Sequence, residues 1–166
     1  MLSDDRARTA KRTVESAFAD ASYPGDELLA SPRSRDARWE LRDLFGRFAR
    51  VPCTQVPPAV IEYHYDSLPF LSPLAYKCFL PAYITYAIDH AHDSASNVPS
   101  FLTYNLILPT DLEGSPELFR DHKEPLSREQ SRAVLLFLEA MREVVDLRGD
   151  AEEAIEAYWK QLRPAQ

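Results

Sequence analysis

Glycine is scarce in this chain: Gly25, Gly46, Gly114 and Gly149 are the only four, and each stands alone. Loops that cradle phosphate or a dinucleotide need clustered glycines ahead of a helix, so that backbone N–H groups can approach the ligand. None of the four sits in a G-x-G or G-K-[ST] setting, which argues against P-loop and Rossmann chemistry. Cysteine is rarer still. Cys53 and Cys78 are too few to make a disulfide framework and lack the C-x-x-C spacing of a metal or redox pair, so they read as two reduced, partly buried thiols. No apolar run approaches the roughly 18 residues of a membrane-spanning helix. The opening Met1-Leu-Ser-Asp-Asp-Arg6 has no basic segment followed by an apolar one, so it does not read as a secretory signal, and the expected location is cytoplasmic. No G-x-S-x-G elbow, cysteine-nucleophile motif or calcium-loop pattern is present.

Positive charge is also in short supply. Residues 1–50 hold ten Lys/Arg against nine Asp/Glu, and the rest of the chain holds nine against seventeen, for a formal net charge of -7. A nucleic-acid binder normally needs a basic patch to displace counterions, so no nucleic acid is expected as a partner. An acidic surface suits a basic protein partner instead.

Hydrophobic residues make up 45% of the 166, enough for the core of one domain, and no linker or repeat divides the chain. Thirteen prolines suggest short helices with defined starts. Helical spacing and capping signals predict a helix from Asp4 to about Asp20 behind Ser3, and another over Arg35–Ala49 with Leu41, Leu44, Phe45 and Phe48 on one face. A short helix is expected within Ala59–Asp66. Ser72-Pro73 opens the most apolar helix, which runs to about His92 with a kink at Pro81. Residues Ser100–Leu108 read as helix. Pro109–Pro125 reads as a long loop holding one helical turn at Pro116–Arg120. Ser127 and Gln130 form a capping box for the next helix, and a last helix starts at Asp150. No β-hairpin signal appears, so the expected fold is all-α, an array of about six or seven helices.

Several residues could carry chemistry. Asp89, His90 and His92 at the end of the apolar helix, together with His64, are the residue types that ligate metals, although no H-E-x-x-H framework accompanies them. His64 beside Asp66 is also a candidate base with an orienting carboxylate. Each has a plainer reading, namely histidines at a helix C-terminus or at the edge of the core. The stretch Glu139–Glu156 carries seven acids against Arg142 and Arg148. It reads as a solvated face or as a contact surface for a cationic partner. Six of the eight tyrosines fall between Tyr63 and Tyr104, and Tyr76, Tyr83 and Tyr86 share one helical face suited to packing or to an interface.

The run Phe70-Leu-Ser-Pro-Leu-Ala-Tyr-Lys-Cys-Phe-Leu-Pro-Ala-Tyr83 resembles the centre of a family of small bacterial proteins of unknown function. Its pattern there is a Ser/Thr-Pro pair, an aromatic and Leu-Pro-Ala-Tyr. Leu126–Val134 with Phe137-Leu138, Ala157-Tyr-Trp159, Ala17-Phe18, Tyr23-Pro-Gly-Asp26 and Trp39 also resemble it. The resemblance implies a scaffold and brings with it no reaction and no cofactor. Small acidic domains of this sort also resemble immunity proteins, which neutralise a toxin.

The reading that follows is a non-enzymatic protein-binding domain, of the immunity or antitoxin type, that meets a basic toxin through Glu139, Glu143, Asp146, Glu153 and Glu156, with Tyr83 and Tyr86 as further contacts. No cofactor and no membrane association are expected. The alternatives are a metal-dependent enzyme or metal-binding protein built on His64, Asp89, His90 and His92, and a housekeeping interaction domain.

Overall fold

A computed structural model describes residues 2–30, 40–110 and 115–162. Its α-helices, numbered in chain order, are α1 (Asp4–Ala17), α2 (Glu40–Phe48), α3 (Pro58–Tyr63), α4 (Pro73–Asp89), α5 (Val98–Asn105), α6 (Pro116–Lys123), α7 (Arg128–Met141) and α8 (Arg148–Ala157). Short 3-10 turns fall at Asp26–Leu28, Leu68–Phe70, Val145–Leu147 and Trp159–Leu162. Among the described residues there is no strand, only a single bridge between Ala30 and Leu71, and the expected all-α class holds. No helix among them is long and apolar enough to cross a membrane.

The starts of the helices follow the sequence signals closely. The hydroxyls of Ser3, Ser72, Ser115 and Ser127 each accept from the backbone N–H three residues on, in the first turn of the following helix. Ser127 and Gln130 form both halves of the capping box. Gln130 also reaches Asp20 with its side-chain amide, at 3.2 Å, which ties α7 to the end of α1.

The core is built around α4. This helix is apolar on nearly every side and buries Ala75, Tyr76, Phe79, Leu80, Tyr83, Ile84 and Ala87, as a central helix does. It runs unbroken through Pro81, whose missing N–H leaves the Lys77 carbonyl without its helical donor. α7 supplies a second buried face from Ala133, Val134, Phe137, Leu138 and Met141, and α1 packs across both helices. α5, α6 and α8 close the other side of α4 and α7.

Four sequence expectations need correction. Cys53 and Cys78 are not free thiols. They form a disulfide, with Cα atoms 5.0 Å apart, because the turn after α2 folds back onto the middle of α4, a proximity that a spacing of 25 residues does not reveal. The single helical turn expected at Pro116–Arg120 is longer, since α6 runs eight residues to Lys123. α1 stops at Ala17 instead of Asp20, and α8 starts at Arg148, so Asp150 lies in its first turn and does not cap it. The expected start of the second helix at Arg35 lies outside the described residues, as do Trp39 and Gly114.

Candidate functional site

The segment that reads as loop in the sequence carries the most unusual chemistry. Ser115-Pro116 starts α6 with the same cap-plus-proline signal that opens α4. Phe119, His122 and Lys123 are spaced by three and four, so they share one face of α6, and all three are buried. That face lies against Tyr76 of α4 and Trp159 of the final turn.

Lys123 is 6% exposed. Its Nζ lies 2.5 Å from the Tyr76 hydroxyl, 4.1 Å from the centre of the Tyr76 ring, 4.7 Å from that of Phe119 and 5.9 Å from that of Trp159. Among the described residues no carboxylate pairs with this amine. Burial alone pulls the ammonium down to about 7, so the neutral amine is well populated at neutral pH. Nζ donates to the Tyr76 hydroxyl oxygen, and a neutral amine makes this bond while keeping its lone pair free. Burial likewise raises the Tyr76 phenol, so it stays protonated.

His122 stacks on the Tyr76 ring, with ring centres 4.6 Å apart, and its Nε2 lies 2.9 Å from the Leu71 carbonyl oxygen. A carbonyl can only accept, so this nitrogen carries the proton. Burial pushes His122 down to about 4, and it is neutral at pH 7. The Trp159 indole N–H donates to the Leu106 carbonyl at 2.8 Å, which fixes that ring.

These groups border a chamber of about 320 Å³. Tyr76, Phe119, His122 and Lys123 form its inner end, and Ile107, Pro109 and Leu118 add apolar walls. Exposed Tyr104 and Glu153 and half-buried Asp150 stand where it meets solvent. The chamber therefore combines a mixed polar and apolar lining, a desolvated amine and a carboxylate mouth. A pocket with apolar walls and a few convergent polar groups, one of them with a displaced pKa, is the usual form of a ligand site.

The residues singled out from the sequence are scattered. His64 is buried at the end of α3, with Nδ1 3.3 Å from the Ser67 hydroxyl and Nε2 3.5 Å from an Asp43 oxygen, at ion-pair range but without a hydrogen bond. Its neighbour Asp66 instead accepts from Ser67, at 3.4 Å. Burial, the largest influence on His64, lowers its pKa and keeps the ring neutral. Asp89 is held by Lys11 at 2.8 Å. His90 stacks on Tyr86, with ring centres 3.9 Å apart, and His92 Nε2 accepts from the Leu2 N–H. Among the described residues, no three His, Cys, Asp or Glu side chains lie close enough to hold a metal ion, and the separate contacts of these four residues explain why.

Tyr83 is fully buried and donates to the His64 carbonyl at 2.7 Å, so its ring belongs to the core. Tyr86 is half-buried and donates to Glu62 at 2.9 Å, a carboxylate that also accepts from Ser96. The acidic run is divided in the same way. Glu143 accepts from the Ser3 N–H at 2.9 Å and pairs with Arg6 at 3.0 Å, and Glu156 pairs with Lys160 at 3.0 Å. Glu139 offers its backbone carbonyl to Arg6. The side chains of Asp146, Asp150 and Glu153 pair with no cation among the described residues.

Sequence reasoning missed Lys123, His122 and Phe119, whereas Tyr76 lies on the helical face that already reads as suited to packing. The signal was present in the Ser115-Pro116 start and in the i, i+3, i+4 pattern of Phe119, His122 and Lys123, but a buried lysine and histidine look like surface residues until the helix is placed.

No curated protein and no solved structure matches the chain. A family model does match it, over residues 11–163, and so the chain belongs to a family of unknown function (DUF6714).

Proposed function

We propose that this protein is a non-enzymatic binding domain that meets a cationic protein partner at the acidic mouth of the chamber. The observation that carries this reading is the set of carboxylates on one stretch, Asp146, Asp150 and Glu153, that no cation of the described chain neutralises. Exposed Tyr104, which lines the chamber together with Asp150 and Glu153, gives the mouth an apolar contact group. Carboxylates around an apolar centre steer a basic partner on approach, and the apolar groups then slow its release.

An inhibitor of the immunity or antitoxin type, from a bacterium and covering the active site of a basic toxin, is the specific form of this reading. A cytoplasmic setting would require the Cys53–Cys78 pair to be a dithiol in the cell, because disulfides persist mainly in oxidising compartments. Counting free thiols in acid-quenched cells decides that point.

The test pairs capture with charge reversal. Tagged wild-type protein and the double variant Asp146→Lys/Glu153→Lys are purified gently from the native cells, and association with the recovered partner is timed at low and moderate salt. Slower association of the variant, by about tenfold or more at low salt, with a flatter salt dependence supports the proposal. Equal rates and equal salt dependence would remove the acidic mouth from the interface.

A further inference from the structure

We propose that Lys123 is a nucleophilic amine that captures an apolar aldehyde or ketone in the chamber as an imine. The inference stands apart from the protein-partner reading, since it concerns a small ligand at the inner end of the cavity.

Three observations lead to it. Lys123 sits at the inner end of a chamber of about 320 Å³, a volume suited to a small aromatic or branched aliphatic molecule. Its box of Tyr76, Phe119 and Trp159 supplies no carboxylate to hold an ammonium, and the amine is drawn down to about 7 by burial. Desolvation in an apolar pocket is how amines become nucleophiles for carbonyl substrates. Finally, the mouth carries Asp150 and Glu153, which disfavour an anionic ligand seeking the lysine as a counter-ion. A neutral carbonyl compound meets no such barrier, and Ile107, Pro109 and Leu118 offer it apolar walls.

The reaction balances without an outside oxidant or reductant. The Nζ lone pair forms a bond to the carbonyl carbon as the C=O pair moves onto oxygen. A proton passes from nitrogen to that oxygen to give the carbinolamine. The hydroxyl then leaves with the remaining N–H proton as one water molecule, and C=N remains. The Tyr76 hydroxyl, 2.5 Å from Nζ, holds the amine in place before attack.

The test uses the whole protein with its disulfide formed, benzaldehyde as the probe and cyanoborohydride to reduce any imine to a stable benzylamine. Peptide mass mapping at pH 7 then compares all four lysines, Lys11, Lys77, Lys123 and Lys160. The expected result is benzylation of Lys123 at least about tenfold faster than of the other three, because a far larger fraction of it is neutral than of an ordinary lysine. Ile107→Trp, which fills the chamber, should slow labelling of Lys123 alone. Labelling spread over the other lysines with Lys123 unmodified, or labelling of Lys123 that Ile107→Trp leaves unchanged, would overturn the proposal.

Discussion

Replacing Lys123 with methionine should make the protein more stable at neutral pH, and the gain should vanish in base. An ordinary lysine titrates near 10.5, and burial holds Lys123 at about 7 in the fold. At about 1.4 kcal/mol per pH unit, the folded state carries a penalty of roughly 4 kcal/mol at pH 7 for keeping this amine from its proton. Methionine keeps an unbranched stem against Phe119 and Trp159 and removes the titrating group. It also strips the buried Tyr76 hydroxyl of its partner, which costs about 1–3 kcal/mol. Lys123→Met should therefore be about 1–3 kcal/mol more stable at pH 7. Between pH 7 and 10.5 the unfolded wild-type chain binds more protons at this site than the folded one does, so wild-type stability rises with pH relative to the variant. Near pH 10.5 the variant should be the less stable of the two. Urea unfolding of both oxidised proteins, followed by tryptophan fluorescence from pH 6 to 10, measures the difference. Two parallel stability curves would refute the argument, because they would mean that Lys123 titrates as an ordinary exposed lysine.

Other consequences are equally direct. His122, lowered mainly by burial to about 4, makes the wild type lose roughly 3 kcal/mol as pH falls from 6.5 to 4, since only the unfolded chain takes up the proton there. His122→Gln, whose amide can still donate to the Leu71 carbonyl, should flatten that part of the urea-stability profile. Opening the Cys53–Cys78 bridge in Cys53→Ala/Cys78→Ala releases a loop of 25 residues and should cost about 3.5 kcal/mol by the chain-entropy estimate, measured by the same unfolding assay. Arg50, just past the end of α2, has a φ of 62°, so Arg50→Gly should raise stability by about 0.5–1 kcal/mol. Gly25, with a φ of 101°, should lose about 1 kcal/mol as Gly25→Ala, and thermal melts of the pair give the two signs.

The sequence displays what is local. Ser3, Ser72 and Ser127 mark helix starts because a cap is a contact within one turn, and the apolar spacing of α4 and α7 reports burial because periodicity does. α6 is legible only as the turn at Pro116–Arg120, because its composition, Pro-Glu-Leu-Phe-Arg-Asp-His-Lys, is polar and its buried face is only Pro116, Phe119, His122 and Lys123. The chamber depends on α6 meeting Tyr76 from 47 residues earlier and Trp159 from the end of the chain, pairings that no local pattern encodes. The disulfide failed to show for the same reason. The acidic run was visible in number but not in use, since Glu143 turns out to hold the start of α1 through Arg6 and Ser3. The tyrosine face was likewise visible, but Tyr83 points into the core, and only the surrounding helices determine that direction.

The most direct test of the site is a pH titration by NMR of protein labelled with carbon-13 at the ε-carbon of its four lysines. The site described here predicts one signal that moves with a midpoint near pH 7 and is missing from Lys123→Met. A titration in which no lysine signal moves near neutrality would contradict the buried amine, and with it the chamber chemistry built on it.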